Sequence, residues 1–332
     1  MRVAVIGAGS WGTALAIHAA RAGCEVSLWA REPEVVAGIA ESHRNPLFLH
    51  EFELPAEVTV EADCAAACRG ARAVLFVVPV QFARQVLQEM RGGIAADATF
   101  ISASKGIELG TLQRMDEIVA AELGLSESAF MALSGPSFAR EVAAALPTAA
   151  VLAGRDGDRV AEVQRTLSTP SFRFYASDDI VGVELAGALK NVIALAAGIA
   201  TGLALGHNAL AALMTRGLHE ITRLGVRLGG REETFRGLAG MGDLVLTCTG
   251  ALSRNRSVGE RLGRGEPLAA ALAGREVAEG VPTTRAAADL ARRHDASMPV
   301  IDAVDAMLEG RLTPRQALFS LMTRELKREA AL

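Results

Sequence analysis

Short runs of β-branched and other apolar residues alternate with amphipathic stretches through the first half of the chain. Read as strands, the runs are Val3–Ile6, Glu25–Trp29, Val58–Val60, Ala73–Val78, Thr99–Ala103, Ala129–Leu133, Ala149–Leu152 and Phe172–Tyr175. Segments of helical period lie between several of them, among them Gln81–Met90, Leu112–Leu123 and Asp158–Leu167. Strands alternating with helices predict a largely parallel sheet flanked by helices, while periodicity leaves the strand order open. The pattern changes at Ser177-Asp178-Asp179, which reads as a helix N-cap with acidic residues in the first turn. Beyond it the chain is rich in Ala, Leu and Gly, helical in period and poor in strand signal. The expected organisation is an α/β domain over 1–177 followed by an all-α domain over 178–332.

The first strand runs directly into Gly7-Ala8-Gly9-Ser10-Trp11-Gly12 and then into a helical segment from Thr13 to Ile17. Strand, glycine turn and helix in that order form a dinucleotide-binding fingerprint. Gly7 permits the tight turn, Gly9 lets a pyrophosphate approach the backbone, and Gly12 brings the helix close to the strand. The free N–H groups at the helix start then face the phosphates. The first domain is therefore expected to be of Rossmann type, with its ligand at the carboxyl ends of the strands and the active site in the cleft between the domains. The second strand ends at Trp29-Ala30-Arg31. An NAD-preferring site places Asp or Glu there, whereas Arg accepts a 2′-phosphate. Glu32 follows and mixes the signal, so Arg31 is either a phosphate ligand or a solvated surface side chain. The expected cofactor is NADPH or NADH, with NADPH favoured.

Composition narrows the partners. Half of the 332 residues are apolar and 22% are charged, the balance of a globular protein with room for a sizeable core. A net charge of −4 gives no basic field for nucleic acid or an anionic membrane, so an anionic substrate must be met by local cations. Aromatic residues make up 4%, too few for base-stacking platforms. Cys24, Cys64, Cys68 and Cys248 form no zinc-ligand pattern with the scattered histidines, and read as buried thiols in a reducing cytosol. No metal is expected. Met1 leads straight into a strand, so no signal peptide and a cytoplasmic location are expected. The apolar stretch from Val192 to Gly206 falls short of the about 20 residues of a membrane span. It reads as a buried central helix of a soluble protein. Gly198, Gly202 and Gly206 in it, spaced by four, predict close helix–helix packing.

Several residues could carry chemistry. Lys190 sits inside an otherwise apolar helical stretch. It either snorkels to the surface or is held there for proton transfer, since desolvation or a nearby cation would bring it into a useful range. Lys105 stands before Gly106 at a strand end, where an anionic substrate needs a cation. Ser134-Gly135-Pro136-Ser137-Phe138-Ala139 offers hydroxyls and backbone N–H groups at another strand end. Asp243, on the glycine-rich turn Gly240-Met241-Gly242, could orient a substrate hydroxyl or a lysine, or cap the next helix. Ser253-Arg254-Asn255-Arg256 groups hydroxyl, guanidinium and amide donors suited to phosphate. Cys248 has no adjacent base and reads as packing.

Taken in order, these segments resemble the bacterial-type NAD(P)-dependent glycerol-3-phosphate dehydrogenases. The matching stretches are 7–12, 104–108, 134–141, 184–192, 237–249 and 253–256, with Glu279-Gly280-Val281 and Leu321-Met322-Thr323-Arg324. The resemblance implies reversible reduction of dihydroxyacetone phosphate to sn-glycerol 3-phosphate for glycerophospholipid synthesis, with Lys190 as the catalytic acid/base. It implies substrate contacts from Lys105, Gly135, Ser137, Lys190, Asp243, Ser253, Arg254 and Asn255. Cofactor contacts are implied for Ser10, Trp11, Arg31, Lys105, Ala139, Arg254, Val277 and Glu279, beside the three glycines. Phe48 departs from the family pattern, where a tyrosine is expected, and so does His207, where an acidic or polar residue is more usual. A homodimer through the helical domain is the expected assembly.

Overall fold

The computed structural model describes residues 1–274, 277–326 and 328, and the chain forms two compact units. The first comprises 1–105 and 114–184, the second 106–113 and 185–332. The expected boundary, 177/178, marks the end of the last strand, whereas the units divide between Glu184 and Leu185, inside a helix.

The first unit is built on eight strands: β1 (Arg2–Ile6), β2 (Glu25–Trp29), β3 (Val58–Glu61), β4 (Ala73–Phe76), β5 (Thr99–Ser102), β6 (Phe130–Ser134), β7 (Thr148–Gly154) and β8 (Phe172–Ser177). They form a single sheet in the order β3-β2-β1-β4-β5-β6-β7-β8. Every pair is parallel except β6 with β7. The first six strands in this order are the doubly wound nucleotide-binding arrangement. Central strands β4, β5 and β6 are buried along their whole length, because helices cover both faces, while the edge strand β8 alternates buried and exposed. The helices are α1 (Ser10–Arg21), α2 (Pro33–Ser42), α3 (Cys64–Cys68), α4 (Val80–Glu89), α5 (Met115–Leu123), α6 (Ala139–Ala143) and α7 (Gly157–Leu167). The helix expected from Leu112 begins only at Met115. Leu112 has a positive φ of 62°, and the backbone N–H of Arg114 is capped by the Glu117 carboxylate at 2.8 Å.

Helix α8 (Ile180–Gly202) starts in the first unit and runs on into the second, its N-terminus capped by Asp179, which accepts from Gly182 N at 2.9 Å. It is longer than the apolar stretch predicted. Its 23 residues contain an 18-residue window of mean hydropathy 1.7, enough to cross a membrane by length and composition, so the length argument does not hold. Burial identifies it as a core helix instead, because 89% of that window lies inside the protein. The rest of the second unit is helical among the described residues. It contains α9 (Gly206–Arg227), α10 (Glu232–Arg236), α11 (Asp243–Thr249), α12 (Arg254–Gly263), α13 (Leu268–Ala271), α14 (Gly280–Arg293), α15 (Pro299–Leu308) and α16 (Pro314–Met322).

Two of the three predicted packing glycines behave as expected. A Cβ on Gly198 would lie 2.0 Å from Arg256 O, and one on Gly202 2.3 Å from Glu260 O. Helix α12 answers with Gly259 and Gly263, whose Cβ atoms would meet Leu195 O at 2.1 Å and Ile199 O at 2.4 Å. Four missing side chains thus let two helix backbones touch. Gly206 does not belong to this seam: it has a φ of 81°, opens α9, and faces no atom within 4 Å.

Candidate functional site

The glycine turn between β1 and α1 is shaped by contacts that only glycine allows. Gly7 has a φ of 113°, and a Cβ on it would lie 3.0 Å from Val77 O, while a Cβ on Gly12 would sit 1.7 Å from Gly7 O. A Cβ on Gly9 would meet no other residue within 4 Å. Helix α1 begins at Ser10 with Gly9 as its N-cap, a residue with no side chain to make a capping bond. The indole N–H of Trp11 beside it is buried without a hydrogen-bond partner among the described residues. Arg31, just past β2, has a side chain 71% exposed and pairs with Glu32 at 3.0 Å.

At the ends of β5 and β6 the same unit gathers Lys105, Gly135 and Ser137. Lys105 Nζ donates to Gly135 O at 3.4 Å, and Ser137 Oγ donates to the same oxygen at 3.0 Å. Ser104 Oγ, donating to Val78 O at 2.6 Å, ties the loop to the end of the neighbouring strand. Gly135 allows the turn: its φ is 146°, and a Cβ would lie 2.8 Å from Ala150 Cα. Ala139 opens α6 and packs partly buried against the core.

In the second unit Lys190 is buried in the middle of α8, so it does not snorkel. Its Nζ donates to Asp243 Oδ1 and, at 2.7 Å, to Thr247 Oγ1. Asp243, 1% exposed, is delivered by a π-helical turn over Leu238–Gly242, closed by Gly242 N donating to Gly237 O at 3.1 Å. Gly240 makes that turn possible, since a Cβ there would lie 2.0 Å from Phe235 O. Thr247, one turn along α11, lies 3.2 Å from Asp243 Oδ1 and donates to Asp243 O at 2.6 Å. A buried ammonium needs such partners, and here the neighbour is a carboxylate rather than a cation. Asp243 thus meets the lysine directly. Burial pushes the adjacent Cys248 thiol up to about 12, which keeps it protonated and inert.

Ser253 caps α12 by accepting from Arg256 N at 3.2 Å. Asn255 is a bridge: its Nδ2 donates to Asn191 Oδ1 at 3.0 Å and its Oδ1 accepts from Gly280 N, at the start of α14, at 2.9 Å. Arg254 points its Nη2 at Leu272 O and Ala273 O, 3.4 Å from each. Val277 is exposed and Glu279 stands at the N-cap of α14. Among the described residues no group of three or more His, Cys, Asp or Glu could hold a metal ion.

The helical unit holds a lysine paired with a carboxylate, and the α/β unit holds a dinucleotide-type turn. Residues 2–160 match the N-terminal model of NAD-dependent glycerol-3-phosphate dehydrogenase, and residues 179–319 match the C-terminal model. Glycerol-3-phosphate dehydrogenase [NAD(P)+] from Geobacter sulfurreducens is 51% identical over 99% of this chain and 98% of its own. The enzyme of that name from Nitratidesulfovibrio vulgaris is 49% identical over 99% and 100%. The chain belongs to the NAD-dependent glycerol-3-phosphate dehydrogenase family. A crystal structure of glycerol-3-phosphate dehydrogenase from Coxiella burnetii superposes with a TM-score of 0.93 at 41% identity, covering 97% of this chain and 99% of that one. In this dehydrogenase Thr247 bonds Lys190 and Asp243, and Asn191 bonds Asn255, although no motif singled out either residue. Helical spacing held the signal for Thr247, four residues after Asp243. Asn191 stands next to Lys190 in sequence.

Proposed function

We propose that this dehydrogenase reversibly reduces dihydroxyacetone phosphate to sn-glycerol 3-phosphate with Lys190 as its acid/base. The observation that carries the reading is the buried Lys190–Asp243–Thr247 group in a chain of this family. NADPH or NADH, when bound, supplies the hydride. Lys190 Nζ gives a proton to the ketone oxygen as the carbon is reduced, and takes it back in the reverse direction. Asp243 and Thr247 hold the ammonium in one orientation, and its positive charge stabilises the developing alkoxide. Arg254 offers a fork of donors to the phosphate. Ser253 accepts from Arg256 N through one lone pair and has its O–H to donate, and Asn255, whose Nδ2 gives one hydrogen to Asn191, has a second amide hydrogen to offer. Lys105, Gly135 and Ser137 complete the substrate set.

The first unit fits a dinucleotide: the space into which a Cβ on Gly9 would point is open, the N-cap of α1 carries no side chain, and the Trp11 indole N–H lacks an acceptor among the described residues. Gly7, Gly9, Ser10, Trp11 and Gly12 hold the cofactor, and Arg31 favours the 2′-phosphate of NADPH. Lys105, Ala139, Arg254, Val277 and Glu279 make the further cofactor contacts that the family resemblance implies. In the same reading the enzyme works in the cytoplasm as a homodimer through its helical unit and supplies the precursor of glycerophospholipids. The test is loss of reduced-nicotinamide absorbance on adding dihydroxyacetone phosphate, run in parallel with NADPH and NADH. Rapid oxidation is expected, faster at low concentration with NADPH. A folded, cofactor-binding protein that ignores this substrate but oxidises cofactor with a hydroxy-acid precursor would refute it.

A further inference from the structure

Asn45 follows α2 in a loop, far along the chain from the glycine turn, yet it is wholly buried against it. An asparagine amide has two donors and two acceptor positions, and here all are used. Nδ2 donates to Ala8 O at 2.8 Å and to Thr13 Oγ1 at 2.9 Å. Oδ1 accepts from Leu47 N and from Phe48 N, each at 3.1 Å. Thr13, also wholly buried, donates through Oγ1 to the same Ala8 O at 3.2 Å. Two side chains that no motif singled out therefore converge on one carbonyl of the fingerprint.

That carbonyl belongs to the Ala8–Gly9 peptide. A trans peptide points its N–H opposite to its C=O. Drawing Ala8 O toward the buried Asn45 and Thr13 therefore turns the Gly9 N–H away from them. On the glycine side the next carbonyl, Gly9 O, accepts from Thr13 N at 2.9 Å, but Gly9 has no side chain and even a Cβ there would touch nothing within 4 Å. A peptide beside an unhindered glycine is among the easiest in a chain to rotate. Rotated, it would present a carbonyl oxygen to an anion in place of an N–H.

We propose that Asn45 and Thr13 are positioning residues that fix the Ala8–Gly9 peptide with its N–H toward the cofactor pyrophosphate. The proposal rests on the cofactor reading above. Their effect is on cofactor affinity, exerted through the backbone and without contact to the cofactor.

Binding alone tests this, by calorimetric titration of ADP-ribose and NADH into the full chain. Asn45→Asp keeps the acceptor for Leu47 N and Phe48 N, so the loop stays anchored, but sets a carboxylate oxygen against Ala8 O. Thr13→Val removes the hydroxyl without adding charge, and Thr13→Ser restores it. The Kd for both ligands should rise about tenfold or more in Asn45→Asp, the loss of one charge-assisted hydrogen bond. It should rise less in Thr13→Val and return to the wild-type value in Thr13→Ser. In turnover, KM for the reduced cofactor should rise further than kcat falls. Wild-type Kd values in folded Thr13→Val or Asn45→Asp protein would overturn the proposal. So would a Thr13→Ser variant as weak as Thr13→Val. A wild-type chain that binds neither ligand would sink the cofactor reading, and this one with it.

Discussion

Replacing Gly198 by alanine asks whether the seam between α8 and α12 sets the geometry of the site. The added methyl would lie 2.0 Å from Arg256 O, 2.7 Å from Glu260 N and 2.9 Å from Arg256 C, where ordinary contact begins at 3.4 Å. The neighbours are backbone and cannot swing aside, so the helices must part by about 1.4 Å, the difference between 3.4 and 2.0 Å. Arg256 follows Asn255, whose 3.0 Å bond to Asn191 would then stretch beyond hydrogen-bond reach. Overpacking of this kind costs about 1–3 kcal/mol. The kinetic effect should be larger than the loss of stability suggests, because a misplacement of about 1 Å can lower turnover about 100-fold. The expected result for Gly198→Ala is a kcat/KM for dihydroxyacetone phosphate down by roughly that factor, in a chain that still unfolds cooperatively and still binds NADPH. Gly157→Ala is the control, since a Cβ there meets nothing within 4 Å. Steady-state kinetics and thermal melts on the two variants decide it. Wild-type kcat/KM in Gly198→Ala would show that the close seam plays no part in catalysis.

The other predictions are briefer. Lys190→Ala should lower kcat by about 10²–10⁴-fold, the usual contribution of a general acid, while NADPH titrations stay close to wild type; normal turnover would remove the assignment. Arg254→Ala should raise KM for dihydroxyacetone phosphate more than KM for NADH, and an unchanged substrate KM would end its phosphate role. If Arg31 binds the 2′-phosphate, Arg31→Ala should weaken NADPH selectively, so an equal loss for both cofactors argues against it. Burial pushes the Glu220 carboxyl up from 4.5 to about 7, against the pull of the Val300 and Ile301 N–H groups that it caps at the start of α15. The folded chain thus holds this proton more tightly than the unfolded one. Its contribution is complete below about pH 4.5 and is lost as pH rises through about 7, up to roughly 3 kcal/mol. Urea midpoints for wild type and Glu220→Gln should diverge between these limits, and parallel pH profiles would contradict the argument.

The central strands were legible because burial on both faces leaves continuous apolar runs, and all eight strands overlap the runs predicted. Helix α8 was harder. Lys190 and Asn191 look like the polar start of an apolar stretch, but inside the fold Asp243 and Asn255 satisfy them and the helix continues through both. Those partners come from distant parts of the chain, and no local pattern announces a pairing across so many residues. The same holds for Lys105 and Gly135, which meet only because β5 lies beside β6. Spacing also misled at Gly206, where the four-residue repeat continues past the end of the helix. Asn45 carried no signal, since a lone asparagine before proline reads as a turn.

The eight residues 106–113 belong to the second unit although residues on both sides of them belong to the first. Ile107 in that stretch is wholly buried. During synthesis this segment leaves the ribosome before any of 185–332 exists, so it must wait for the unit that will enclose it. The α/β unit, by contrast, has its full complement of chain once Glu184 has emerged. A gene cut after that point would separate two products of unequal fate: an α/β fragment carrying 106–113 without the unit it packs in, and a helical fragment missing a piece of its own chain. Anyone seeking the helical half alone would have to graft 106–113 onto it.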